Sequence, residues 1–203
     1  MNRHVALIIV DVQIDFCPGG SLAVPGGDAI IPVINRYIKI FRSRGLPVFA
    51  TRDWHPPVTS HFRESGGLWP PHCVQGSVGA RFHPSLKLPD DVIIVSKGMD
   101  PESDDYSSFQ ATLETGSPLQ EYLRNAGVTK LFICGLATDY CVRATSIDAL
   151  EAGLEVTVLK DAIKGVDINA GDSARALEEI TKAGALLSDL AGFEKKPRRH
   201  ANR

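Results

Sequence analysis

The chain has 203 residues, 43% of them hydrophobic and 23% charged, with a formal net charge of −2. That length suits one well-buried domain, and so weak a charge gives no field to draw nucleic acid or an anionic membrane, so neither is expected as a partner. No apolar run approaches the ~20 residues that span a bilayer. The opening MNRH carries no leader pattern, and four cysteines without a CxxC pair fit free thiols in a reducing cytoplasm.

Residues 5–10 (VALIIV) form a continuous apolar strand that ends on Asp11. Ile30, Val33, Ile34, Ile38 and Phe41 then recur at helical spacing and stop at Gly45. A second strand at 47–51 leads into Arg52 and Asp53, and a third at 92–96 ends on Lys97. Between these two strands, residues 53–91 are rich in Pro, Gly and His and carry both Trp54 and Trp69. A structured loop of that length is usually functional. The pattern continues with a helix at 118–126, a strand at 129–134, a helix at 142–152, a strand at 155–159, a helix at 173–183 and a weaker strand at 185–188. Gly45, Gly127, Gly153 and Gly184 follow the four helices, at the left-handed stop that helix ends prefer.

Most of these strands are unbroken apolar blocks, as in a parallel sheet covered on both faces. The expected fold is therefore α/β: a doubly wound, mostly parallel six-stranded sheet with helices on both faces. It takes residues 1–194 as a single domain, with a basic and disordered tail at 195–203.

In such sheets the ligand crevice lies beyond the carboxyl ends of the strands. Asp11, Asp53, Lys97 and Cys141 all fall there, Cys141 ahead of a helical stretch. A thiol near a helix N-terminus is expected to have a depressed pKa and to act as a nucleophile. Asp11 is the matching general base and acid, Lys97 the cation that favours the thiolate, and the amides of the 137–141 turn the oxyanion donors. Singly, Asp11 reads as well as a helix cap, Lys97 as a surface lysine and Cys141 as an inert thiol. Their convergence on strand ends is what points to catalysis.

Asp53 and His55 are one residue apart and share a face in an extended segment. His61 and His72 follow in the same loop. One carboxylate with several imidazoles suits Zn, Fe, Mn or Co. Phe16, Trp69, Tyr106 and Phe109 are aromatic faces that could hold a flat ring. His4 and His83 read as structural, and Cys134 as core.

Most of these residues sit in six motifs: 10–24 (VDVQIDFCPGGSLAV), 51–55 (TRDWH), 69–74 (WPPHCV), 82–86 (FHPSL), 97–109 (KGMDPESDDYSSF) and 135–142 (GLATDYCV). In content and order the chain resembles the nicotinamidases, the metal-containing branch of the isochorismatase-like hydrolases, over nearly its whole length. The resemblance implies hydrolysis of nicotinamide to nicotinate and ammonia through a thioester, a step in NAD salvage. It assigns Asp11, Lys97 and Cys141 as the triad and the Ala137 and Cys141 amides as the oxyanion donors. Asp53, His55 and His72 become ligands of one divalent metal, zinc before iron or manganese, with His61 a ligand in only some members. Phe16, Trp69, Tyr106 and Ala137 become the substrate pocket, and Leu136–Ala137 a cis peptide. The implied partner is a small molecule, with the protein a monomer or homo-oligomer. A sister amidase acting on another small carboxamide or carbamoyl compound is the alternative. Those relatives generally lack the Asp-x-His cluster.

Overall fold

The computed structural model describes residues 4–195. Seven strands form one sheet: β1 (Val5–Val10), β2 (Val48–Asp53), β3 (Ile93–Lys97), β4 (Thr112–Leu113), β5 (Lys130–Leu136), β6 (Glu155–Lys164) and β7 (Leu186–Ser188). Their order is β4-β3-β2-β1-β5-β6-β7, and every pairing is parallel except β3 with β4. The expected count of six is corrected to seven. Thr112–Leu113 is a two-residue antiparallel edge strand, too short to leave a periodic signal.

Both faces of the sheet are covered, which is why β1 is apolar throughout. Leu7 and Ile9 pack on one side with α1 (Ile31–Ser43) and α5 (Leu190–Lys195). Ala6, Ile8 and Val10 pack on the other with α2 (Leu119–Asn125), α3 (Arg143–Glu151) and α4 (Asp172–Lys182). In α1 the buried stripe is Ile31, Ile34, Tyr37, Ile38 and Phe41; it keeps Ile34, Ile38 and Phe41 of the predicted spacing, whereas Ile30 precedes the helix and Val33 is only partly buried. The glycines after α1 to α4 have φ of 64°, 68°, 81° and 114°, the left-handed conformation that ends a helix. Residues 195–203, the predicted tail, lie outside the described residues except for Lys195 at the end of α5.

The chain builds β1, β2 and β3 outward in one direction, then crosses back to lay β5 on the other side of β1. The reversal at β1/β5 opens a crevice at the carboxyl ends of those two strands. Asp11 leaves β1 there, and Cys141 follows β5. Asp53 ends β2 and pairs in register with Lys97 at the end of β3.

Candidate active site

Lys97 is the hub of the polar cluster. It is 1% exposed, and its Nζ lies 2.9 Å from Asp11 Oδ2, 3.5 Å from Cys141 Sγ and 3.3 Å from the Asp105 carbonyl, with a further ion pair to Asp53 Oδ1. β2 separates β3 from β1, so only a side chain as long as lysine spans from the end of β3 past Asp53 to Asp11. Burial works against the ammonium, but the Asp11 and Asp53 carboxylates hold its pKa well above the ordinary lysine value. Asp11 sits at φ 48°. Its Oδ1 accepts from the Thr51 hydroxyl at 2.6 Å, which leaves Oδ2 turned to the lysine.

Cys141 precedes α3 as expected, within a π-helical turn, Thr138–Val142, that leads into it, but its thiol departs from expectation. Burial pushes its thiol well above the ordinary value, Asp11 and Asp53 add to the rise, and Lys97 opposes it. Burial also raises the Asp11 carboxyl, with Lys97 opposing and Asp53 adding. The resting proton therefore sits on sulfur, beside a carboxylate of raised basicity that can take it.

The turn also carries the proposed oxyanion donors. The Leu136–Ala137 peptide is cis. Gly135 before it has φ 113°, and a Cβ there would lie 2.0 Å from the Val10 carbonyl oxygen. Only glycine lets β5 run this close to β1 at the crevice.

Asp53 joins this cluster to a second one. Its Oδ2 lies 3.6 Å from His55 Nε2 and 3.8 Å from His72 Nε2, and the ligand nitrogens of His55, His61 and His72 all fall within 4.8 Å of one another. Burial opposes the charge on Asp53, yet Lys97, His55 and His72 hold its carboxyl well below the usual range. Burial lowers the His61 imidazole and brings His72 down to about 4, so both are neutral, the ligating form, at pH 7. His72 Nδ1 bonds the Pro70 carbonyl at 2.8 Å, which turns Nε2 inward, and His61 Nδ1 pairs with Asp104.

His55 is 1% exposed, and neither of its ring nitrogens has a hydrogen-bond partner. A buried imidazole in that state is costly unless something else occupies it. Its far edge packs on Gly98, where a Cβ would come within 2.5 Å of Cε1. Three imidazoles and a carboxylate, with buried and unspent lone pairs, fit a divalent cation of the zinc, iron or manganese type.

Both clusters open on one cavity. Phe16, Trp69, Tyr106 and Ala137 line it, together with Tyr140, Val166, Leu22 and Val24, while Asp53, His61, His72 and Cys141 reach into it. Trp69 Nε1 donates to the Tyr106 hydroxyl at 2.9 Å, and Tyr140 stands edge-on to Trp69 at 5.1 Å. These mutual contacts fix the aromatic wall. Phe109, expected among these rings, is not part of the cavity wall and packs, as Tyr106 also does, against the core on the α2–α4 side of the sheet. His4 and His83 bond backbone groups away from the site. Sequence reasoning missed Thr51, Asp104, Tyr140 and Val166. A hydroxyl closing the otherwise apolar run 47–51 was the one available sign for Thr51.

The isochorismatase-domain profile matches residues 5–192. Nicotinamidase from Escherichia coli (strain K12) is 41% identical over 208 aligned residues, covering 93% of this chain and 96% of that protein. Among solved structures, the pyrazinamidase of Pyrococcus horikoshii in complex with zinc is 48% identical with a TM-score of 0.85, over 92% of this chain and 99% of that one. PnC1 from L. infantum in complex with nicotinate is 36% identical with a TM-score of 0.84, over 95% of this chain and 96% of that one.

Proposed function

The chain belongs to the isochorismatase family, and from that membership we propose that it is a cysteine amidohydrolase converting nicotinamide and water to nicotinate and ammonia. The observation that carries the reading is the placement of the Asp11–Lys97–Cys141 cluster and the three histidines on one cavity, joined through Asp53. The similarity to proteins named nicotinamidase and pyrazinamidase supports the substrate. A flat pyridine ring suits the wall of Phe16, Trp69 and Tyr106.

In this mechanism Asp11 takes the proton from Cys141 as sulfur attacks the carboxamide carbon. Lys97 offsets the charge on sulfur and on Asp11, and the Ala137 and Cys141 amides hold the tetrahedral oxygen. Asp11 returns the proton to the departing nitrogen, so ammonia leaves and a Cys141 thioester remains. Asp11, again a carboxylate, then takes a proton from the attacking water, and nicotinate departs as sulfur recovers its proton. Asp53, His55, His72 and His61 would hold one divalent cation, for which we propose zinc. When bound, such a cation supplies a Lewis-acidic point of attachment for a heteroaromatic nitrogen. The domain at 1–194 carries the activity, and the free, buried cysteines support a reducing cytoplasm as its place of action in NAD salvage.

Incubating metal-replete protein with nicotinamide tests the reading. Equal amounts of ammonia and nicotinate are expected, with Cys141→Ser lowering kcat by ~10³-fold or more, the scale of losing a covalent nucleophile. Absence of ammonia from the metal-replete wild type would remove the assignment.

A further inference from the structure

The turn that follows Asp11 holds the backbone of the metal-side residues through two buried side chains. We propose that Gln13 and Asp15 are positioning residues for the cation: they fix the backbone at Asp53 and at Cys73, and so set the spacing of the Asp53 carboxylate and the His72 imidazole. The inference rests on the metal reading given above.

Gln13 is 0% exposed. Its Oε1 accepts from the Asp53 N–H at 2.8 Å, while its Nε2 donates to the Asp53 carbonyl at 2.8 Å and the Ala80 carbonyl at 2.9 Å. One amide therefore closes on both backbone groups of a single residue and spends both of its own N–H donors. The reason lies in the sheet. Two residues earlier, the Thr51 carbonyl is taken by the Asp11 N–H at 3.2 Å, but β1 has ended by then and offers nothing to Asp53. The Gln13 side chain stands in for the missing strand and satisfies groups that would otherwise be orphaned in the interior.

Asp15 acts on the other ligand segment. Its Oδ2 accepts the Cys73 N–H at 2.7 Å, and its Oδ1 accepts the N–H and hydroxyl of Ser21 at 3.2 and 3.1 Å. Cys73, directly after His72, has φ 46°, which L side chains seldom adopt. A charge-assisted bond to a buried carboxylate is the contact that holds it there. The fit is close, since a Cβ on Gly79 would lie 2.1 Å from Asp15 Oδ2. In Asp15→Asn that charge is lost, and Cys73 is free to relax and to carry the His72 ring with it.

Metal sites tolerate ligand displacements of only ~0.2 Å, and losing a group that orients a ligand costs roughly 10–100-fold in affinity. The test is zinc affinity, measured by competition with a chromophoric chelator, for wild type, Asp15→Asn and Gln13→Met. Thermal unfolding of each protein, metal-free and zinc-loaded, accompanies it. The expected result is one zinc per wild-type chain, roughly 10–100-fold weaker binding in each variant, and a correspondingly smaller gain in melting temperature on adding zinc. If one variant does not fold, the other carries the measurement. Variants that melt earlier when metal-free but bind zinc with wild-type affinity would overturn the inference, since the two side chains would then serve only the fold. A wild type that takes up no zinc would instead overturn the metal reading beneath it.

Discussion

Cys141 keeps its proton at rest because it is buried and flanked by two carboxylates, with only Lys97 opposing. In the proposed mechanism catalysis then depends on Asp11 being ionised. Burial raises the Asp11 carboxyl above the ordinary 3.8, so the acid side of the kcat/KM profile should fall away through a value above 3.8, with activity present above it and lost as the pH drops through it. Zinc content measured at each pH separates this from metal loss. An acid limb at or below 3.8 in zinc-loaded protein would exclude Asp11 as the base. At this scale the sequence was legible where a residue's position in its own strand carries its meaning. Asp11, Asp53 and Lys97 each terminate an apolar run, and that is readable. Thr51, Gln13 and Asp104 were not, because each acts through a partner about 40 or more residues away in the chain.

Among the elements, α1 shows how directly pattern becomes packing. Phe41, near its end, is fully buried and lies 5.5 Å from the Phe132 ring of β5 and 5.6 Å from the Phe193 ring of α5. Phe41→Ala should cost about 3–5 kcal/mol in denaturant unfolding while leaving kcat near wild type, because Phe132 lies toward the start of β5, away from the crevice. A comparable loss of kcat would show that the two ends of the sheet are coupled. The same periodicity made α1 to α4 and the strands buried on both faces readable in advance. It could not reveal β4, which is two residues of edge. It also stopped β6 at residue 159, whereas the strand runs on to Lys164 through the half-polar segment after a register shift against β5. Nor does periodicity distinguish a π-helical turn from the helix it leads into, so the turn that carries Cys141 ahead of α3 was not foreseen.

For the molecule as a whole, the 53–91 region has little regular structure of its own beyond a short turn at Arg63–Ser65 and isolated bridges such as His55 to Val74. Its order depends on what it surrounds. A bound cation that meets only the folded state adds to stability by mass action, about 2.7 kcal/mol at a hundredfold excess over its dissociation constant. For a chain of this size that corresponds to roughly 5–10 °C in melting temperature. Stripping the metal with a chelator should lower the thermal midpoint by that amount, and re-adding zinc should restore it. An unchanged midpoint would mean that the histidine cluster is not a cation site. Among the described residues no helix is long and apolar enough to cross a membrane.

Asp53 gives one oxygen to Lys97 and turns the other toward the imidazoles. The two halves of the centre therefore cannot be adjusted independently. Replacing it with an uncharged side chain removes a donor on one flank and, on the other, one of the two carboxylates that hold the Lys97 ammonium beside the sulfur. A descendant that abandoned its ion would have to rebuild the surroundings of its nucleophile in the same step, so the ion-dependent and ion-free branches of such an ancestry should be parted by several simultaneous changes rather than by a gradual slope.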